Sequence, residues 1–318
     1  MTTAFTLVQL SYFSAVARLE NMTGAAAELN VTQSTLSSAI SQLERELAVE
    51  LFTRDRGRGL QLTPAGRALL ARGPALLEEA DLLASSVRSA SEALSGELTV
   101  GIYAPLAPFR APEILDRFEA AYPDVQLTFF EGDQGSLQDA LHDGRCEVAL
   151  MYELGVDHRF ERTVIDRVPP HVIVPEARAQ ALAGRSVVSL REFAEEPFIL
   201  LDLPHTGDYY LRLFRQLGLE PHIRHVSLGY ETVRSYVARG HGYSILNQWL
   251  DQGLTYSGKR VIPLRLSDEF PPTEVSLVQR RDISATRKAQ AFVETCREIY
   301  QGSAQPSIPS IGDNGSSH

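Results

Sequence analysis

Residues 21–47, NMTGAAAELNVTQSTLSSAISQLEREL, constrain this chain more than any other stretch. Their apolar side chains fall into two helical sets, Ala25, Ala26 and Leu29, then Leu36, Ile40, Leu43 and Leu47, with Asn30, Val31 and Thr32 between them. That spacing predicts two helices joined by a tight turn. Thr32 is placed to cap the second helix, because its hydroxyl can accept a hydrogen bond from an unpaired N–H of the first turn. No Glu or Gln stands at position 35, so only half of a capping box is present.

Opposite the Leu36, Ile40, Leu43, Leu47 stripe lie Gln33, Ser34, Ser37, Ser38 and Ser41, short polar side chains with no charge among them. A helix selected only for solubility would carry Glu and Lys there. Short hydroxyls and amides let a helix lie close to a surface dense in donors and acceptors, and the major groove of DNA is such a surface. The competing reading is a serine-rich surface helix with no partner.

Thr23, Ala25-Ala26, Leu29, the run Val31 to Ser37, Ala39-Ile40, Leu43-Glu44, Leu47, Leu51-Phe52 and Arg54, followed by Leu62-Thr63-Pro64-Ala65-Gly66, resemble the winged helix-turn-helix of LysR-type transcriptional regulators. The resemblance covers the first sixty-odd residues, and the remaining length suits that family. Two departures stand out. Asn21-Met22 replaces a usual Gly-Ser pair, and Ala48 replaces the usual Gly, the residue that accepts a left-handed cap cheaply.

A net charge of -10 argues against a non-specific nucleic-acid binder, since sequence-independent affinity comes from Lys and Arg neutralising phosphates. Basic charge must be local. Arg54, Arg56 and Arg58 cluster where strands LFTR and LQLT flank the glycine-containing turn DRGRG. Directly after a recognition helix, that hairpin reads as a wing whose arginines enter the minor groove. The expected DNA-contacting residues are thus Thr32, Gln33, Ser34, Ser37, Ser38, Arg54, Arg56 and Arg58.

At 318 residues the chain can hold two or three units with sizeable cores. No apolar run approaches a membrane span and the first ten residues do not read as a signal peptide, so a cytoplasmic protein without membrane contact is expected. Cys146 and Cys296 lack C-x-x-C partners, which suggests neither a disulfide framework nor zinc, and ordinary buried thiols rather than a redox pair are expected. His222 and His225 are three apart on a predicted strand, which places them on opposite faces and argues against a metal site.

In chain order, residues 6–18 read as a first helix with Leu7, Leu10, Phe13 and Ala17 on one face. Thr63-Pro64 opens a long helix, in which Leu69, Gly73, Leu76, Ala80, Leu83, Val87, Ala90 and Leu94 recur at spacings of four and three. So narrow a stripe implies a partner helix, most simply that of a second subunit, giving a homodimer through a linker helix. At ~1.5 Å per residue the helix runs on the order of 45 Å. Gly73-Pro74 predicts a kink or break, because Pro74 lacks an N–H and crowds the preceding turn.

From Gly96 the pattern becomes α/β. ELTVGIY, DVQLTFFE and CEVALMY read as strands separated by helices near 112–122 and 136–142, a βαβαβ unit. PHVIVP, SVVSL, PFILLD, HIRHVSL and GYSILN follow as strands, with helices near 206–217 and 231–239. TEVSLVQR and a helix over 285–300 close the series. The resemblance implies an effector domain of two α/β lobes joined by crossing strands, like a type 2 periplasmic binding protein. The expected division is therefore a winged helix-turn-helix over 1–63, a linker helix over 64–95, an effector domain over 96–300 and a disordered tail over 301–318. Within the effector domain, lobe 1 takes 96–163 and 270–300 and lobe 2 takes 164–269, with crossings near 162–168 and 264–270. The resemblance also implies a homotetramer and contact with RNA polymerase.

Open α/β sheets bind ligands at the carboxyl ends of strands, where helix N-termini present free N–H groups. Those ends carry Tyr103, Pro105 and Leu106, then Asp133 and Gln134, then Tyr152 and Glu153. The second series adds Asp202, His205 and Thr206, Tyr230 and Glu231, and Asn247-Gln248. Many regulators of this family hold a carboxylate on Ser or Thr after the first strand, whereas Ala104, Pro105 and Leu106 offer none. Tyrosines beside acids point instead to an aromatic, polar or cationic effector.

The leading reading is a sequence-specific transcriptional regulator, binding double-stranded DNA and controlled by a small molecule between two lobes. The alternative is an α/β enzyme or small-molecule carrier with a helical appendage. No nucleophile elbow, P-loop, dinucleotide fingerprint or zinc spacing appears, so no enzyme, cofactor or metal is expected.

Overall fold

Thr6 opens the first helix, α1 (Leu7–Leu19), through a full capping box: its hydroxyl accepts from the Gln9 N–H at 3.2 Å and its own N–H donates to the Gln9 side chain at 2.7 Å. This is a computed structural model describing residues 5–55, 59–88, 94–250 and 252–302. α2 (Met22–Glu28) starts at Asn21, whose side chain accepts from two N–H groups, so this substitute for the family's usual pair is itself a cap. α3 (Gln33–Leu47) starts at Thr32 as its sequence predicts, with the hydroxyl accepting from the Thr35 N–H at 3.1 Å. Leu10, Phe13, Ala25, Leu36, Ile40 and Leu43 are buried together with Leu51 and Leu70 to form the head's core. Burying each leucine stabilises the head by roughly 1.5–3 kcal/mol.

α3 ends on Ala48 in the left-handed region (φ 55°), with the Val49 N–H bonded to the Glu44 carbonyl. The Schellman-type cap forms without glycine, at a cost of roughly 1–2 kcal/mol. The Glu44 carboxylate accepts from the Leu51 N–H at 2.8 Å and so ties α3 to the hairpin of β1 (Phe52–Asp55) and β2 (Gly59–Leu62).

α4 (Pro64–Arg88) runs for 25 residues through Pro74 without the break that Gly73-Pro74 predicts. Pro74 removes only the N–H that would reach the Leu70 carbonyl, and packing on α1 holds the helix at that point. A Cβ on Gly73 would come within 3.1 Å of the Leu10 side chain. The predicted seam also divides. Leu69 and Gly73 face the head's own core, whereas Leu76 is 47% exposed and free for a partner. Ala90 lies outside the described residues, and the side chains of Leu83 and Val87 are likewise outside the description. α4 also meets the next domain through Arg67–Asp143 at 3.1 Å and through Glu78, which accepts from the Arg287 N–H at 2.7 Å.

Lobe 1 comprises β3 (Gly96–Tyr103), α5 (Ala107–Ala121), β4 (Val125–Gly132), α6 (Gln134–Asp143), β5 (Val148–Tyr152) and β6 (Phe160–Val168). Lobe 2 comprises β7 (His171–Pro175), α7 (Glu176–Ala181), β8 (Val187–Val188), β9 (Pro197–Leu201), α8 (Thr206–Gln216), β10 (His222–Ser227), α9 (Tyr230–Ala238), β11 (Ser244–Leu246) and β12 (Val261–Leu266). The chain then returns to lobe 1 with β13 (Thr273–Arg280) and α10 (Arg287–Gly302). The first sheet has the order β4-β3-β5-β13-β6, parallel over β4, β3 and β5 and antiparallel beyond. The second has the order β11-β7-β12-β8, and β10-β9 joins it through the Ile199 N–H bonded to the Tyr243 carbonyl at 2.9 Å. Each lobe has its own buried core.

Two predicted boundaries move. The crossings fall at Pro169-Pro170 and over 267–272, because β6 stays paired with β13 to its last residue, Val168 opposite Thr273. Lobe 1 is therefore longer than its expected 96–163. The stretch over 162–168 reads as a crossing strand and not as part of lobe 1, because the charged pairs Glu161-Arg162 and Asp166-Arg167 flank its short apolar middle, as suits a sheet edge. α5 begins five residues before the expected Pro112, with Pro108 in its first turn, where proline costs least. Residues 303–318 of the expected tail lie outside the described residues.

Candidate functional site

The head presents the uncharged face of α3. Leu36, Ile40 and Leu43 are buried, while Thr32, Gln33, Ser34 and Ser38 are exposed and Ser37 is half-buried. The Thr32 hydroxyl sits 2.9 Å from that of Ser34 and 2.8 Å from that of Thr35, which makes a compact polar end one turn deep. Such a surface can approach base edges without bringing charge of its own. Arg54 lies on β1, but its side chain falls outside the description, and Arg56 and Arg58 lie outside the described residues. Arg18, by contrast, is committed to Glu28 and, at 3.1 Å, to Glu97 of lobe 1.

The second site is the seam between the lobes. From lobe 1, Tyr103 ends β3 and Tyr152 ends β5, with ring centroids 5.2 Å apart. From lobe 2, Thr206 opens α8 and meets the Tyr103 hydroxyl at 2.6 Å. The Gln248 amide donates to the Tyr152 hydroxyl at 2.9 Å, and the Tyr230 hydroxyl donates to the Gln248 carbonyl at 2.8 Å. Burial pushes the phenols of Tyr103, Tyr152, Tyr210 and Tyr230 up, so all four remain protonated hydrogen-bonding groups at neutral pH.

His205, one residue before α8, holds a left-handed backbone (φ 63°) and packs on the 155–157 loop of lobe 1. A Cβ on Gly155 would lie 2.4 Å from its ring nitrogen. Non-glycine residues seldom adopt that conformation, and strain of this kind gathers at functional seams.

Other predicted residues take different places. Asp133 caps α6, accepting from the Gly135 and Ser136 N–H groups at 2.8 and 2.9 Å. Leu106 belongs to the core of lobe 1, and Pro105 is buried beside it. Glu153 accepts from the Ser276 hydroxyl at 2.7 Å and pairs with Arg162 at 3.5 Å. Glu231 pairs with Arg234 at 2.5 Å and accepts from the Tyr256 N–H. Asp202 is exposed against the first turn of α8, close to Gly207.

Asn247 is buried at the hinge, donating to the Val168 carbonyl at 3.2 Å and to Thr273 at 3.1 Å while accepting from Tyr210 at 2.9 Å. Gln134 is fully buried with neither amide atom hydrogen-bonded. Gln248 stands, as its place beside Asn247 at the end of a predicted strand suggests, at the seam. Thr273 was not singled out from the sequence and had no signal there.

The histidine geometry also departs from expectation. A bulge between Ile223 and His225 resets the alternation, so His222 and His225 register with Pro197 and Ile199 on one side of the strand. His225 lies 3.0 Å from a ring nitrogen of His241. Cys146 and Cys296 are buried, and burial pushes the Cys146 thiol up to about 12 and the Cys296 thiol up as well.

The profile described as "LysR substrate binding domain" matches residues 91–301, and that of the "Bacterial regulatory helix-turn-helix protein, lysR family" matches residues 7–67. The chain is 32% identical over 249 residues to the transcriptional regulator CfxR of Cupriavidus necator, spanning 77% of this chain and 76% of that one. Among solved structures it is similar to HinK, a LysR family transcriptional regulator from Pseudomonas aeruginosa, at 31% identity and a TM-score of 0.62, covering 92% of this chain and 98% of that one. It is also similar to a mutant of OxyR from Corynebacterium glutamicum solved with hydrogen peroxide bound, at 26% identity and a TM-score of 0.57, covering 93% and 94%.

Proposed function

Because this chain belongs to the LysR family of transcriptional regulators, we propose that α3 reads operator DNA through Gln33, Ser34, Ser37 and Ser38 while the seam between the lobes holds the effector that controls it. The observation that carries the first half is the exposure of an uncharged, hydroxyl-bearing face on a helix whose other face is locked into the head's core. Arg54, Arg56 and Arg58 supply phosphate and minor-groove contacts.

The effector acts by its different affinity for two lobe arrangements, a population shift. Thr206, Tyr103, Tyr152 and Tyr230 stand where the lobes meet and would report its presence to the hinge at Asn247. A carboxylate is a poor fit, since Ala104, Pro105 and Leu106 give it no hydroxyl.

Members of the family form oligomers. In this chain a homodimer through α4 is supported by the exposure of Leu76, and we extend it to a homotetramer that engages RNA polymerase. A cytoplasmic location is supported by the absence, among the described residues, of any helix long and apolar enough to cross a membrane. A role without catalysis is supported by the seam's protonated phenols and by thiols buried away from solvent, none of which is an activated nucleophile.

A gel-shift titration of the full chain on DNA from its own upstream region tests this function. Salt-sensitive binding to a discrete site is expected. Absence of such binding, with turnover of a small molecule, would leave the α/β enzyme reading in its place.

A further inference from the structure

Gln134 carries the one side-chain amide, among the described residues, whose nitrogen and oxygen are both buried without a hydrogen bond. It is 0% exposed and opens α6, one residue beyond Asp133, where β4 pairs Gly132 with Tyr103. One turn further on, Gln138 holds the Gly155 carbonyl at 3.1 Å and the Asp157 N–H at 3.0 Å, and that loop packs on His205 of lobe 2. Gln134 therefore stands at the top of the buried stripe that α6 shares among Gln134, Leu137 and Leu141, at the helix end nearest the seam between the lobes. A buried amide left with an unmade donor and an unmade acceptor is costly, and native proteins rarely keep one without a use.

Most of the charge around the seam is already engaged. Arg110 donates to Asp166 at 2.5 Å and lies over the Tyr300 ring, with its buried Nε–H left unbonded, and Arg234 is held by Glu231. Glu153 is engaged by Ser276 and Arg162, and Asp133 by the N–H groups of α6. A ligand that brought a net charge into this seam would lose hydration and find its counter-ions already paired, apart from the single Arg110 Nε–H and the solvent-exposed Asp202. The other buried groups are neutral: phenols, amides, one threonine hydroxyl, and the paired rings of Tyr103 and Tyr152.

The geometry points to an uncharged, flat effector with an adjacent N–H and C=O, the edge of an amide, lactam or nucleobase, docked on the Gln134 side chain between the lobes. This inference rests on the interlobe effector reading above and narrows it. The amide edge answers both unmade bonds of Gln134 at once, and the flat remainder suits the tyrosine faces.

Trp249, the only tryptophan of the chain, follows Gln248 directly, so its emission reports on the seam. The test compares benzamide with its anionic and cationic near-isosteres, benzoate and benzamidine, and adds uracil as a lactam. Each is titrated into the full chain to ~10 mM, where even a Kd of about 1 mM would be nearly saturated. Benzamide and uracil should shift Trp249 emission and the other two should not. Gln134→Leu should weaken uracil about 10-fold or more, while leaving the Tm of the free protein unchanged or higher, since it removes an unsatisfied amide.

Three results would overturn the inference: no response to either neutral probe, a response confined to benzoate or benzamidine, or unaltered uracil binding by Gln134→Leu. A gel shift on the same samples separates the two levels. Intact DNA binding with failed neutral probes removes only the ligand class. Emission and DNA binding that answer to benzoate keep the interlobe effector and remove its neutrality. Loss of DNA binding altogether removes the regulator reading itself.

Discussion

The Tyr103 hydroxyl at the end of β3 lies 2.6 Å from the Thr206 hydroxyl at the start of α8, joining two residues 103 positions apart across the seam between the lobes. Both are buried, so neither hydroxyl has water as an easy substitute.

A double-mutant cycle with Tyr103→Phe and Thr206→Val should give a coupling of about 1 kcal/mol in urea unfolding, the net worth of a buried neutral hydrogen bond. Thr206→Val alone, which leaves the phenol unpaired, should cost roughly 1–3 kcal/mol. Additive single changes would mean that the lobes do not close through this contact.

His171 begins β7 just after the first crossing, buried, with its ring tilted against that of Trp249 at 4.9 Å between centroids. Burial holds its imidazole down to about 3 from an ordinary 6.5, outweighing a hydrogen bond to the Pro169 backbone. The folded state thus binds the proton less well than the unfolded one. The stability is complete above the unfolded value and is lost as pH falls from about 6.5 towards 3. Urea midpoints should drop on acidification with a slope of up to about 1.4 kcal/mol per pH unit. In His171→Phe that slope should flatten, and an unchanged acid limb would show that other groups set it.

Ala48→Gly should stabilise the head by about 1 kcal/mol, because Ala48 occupies a left-handed cap that glycine adopts without strain. Differential scanning calorimetry would show the gain as a raised Tm of the head's transition. A lowered Tm would mean that the Ala48 side chain contributes packing that outweighs its backbone cost.

Cys146 and Cys296 should be silent to Ellman's reagent in the native protein and fully titratable in denaturant, since both thiols are buried and held protonated. Hydrogen peroxide should leave DNA binding unchanged over the same interval. Rapid native labelling of either thiol would contradict this.

The head was the most legible part of the sequence because its signals are local. Thr32 sits three residues from the N–H it caps, and the Leu36, Ile40, Leu43 stripe repeats at the helical period. β6 was not legible as a lobe 1 strand, since Arg162, Asp166 and Arg167 interrupt its apolar residues and only pairing with distant β13 defines it. The seam was half legible. Strand ends located Tyr103, Tyr152 and Thr206, but periodicity cannot say that Glu231 will turn to Arg234 or that Asn247 will brace the hinge. The left-handed backbone of His205 carries no sequence mark, because glycine, which would have announced it, is absent there.

The account turns on whether the uncharged face of α3 reads base pairs. The most direct measurement is binding of the full chain and of Gln33→Ala, Ser37→Ala and Arg56→Ala to operators varied one base pair at a time. Gln33→Ala and Ser37→Ala should relax preference at one or two positions by roughly 1–3 kcal/mol, while Arg56→Ala weakens every sequence alike. Equal losses on every operator in all three variants would contradict it.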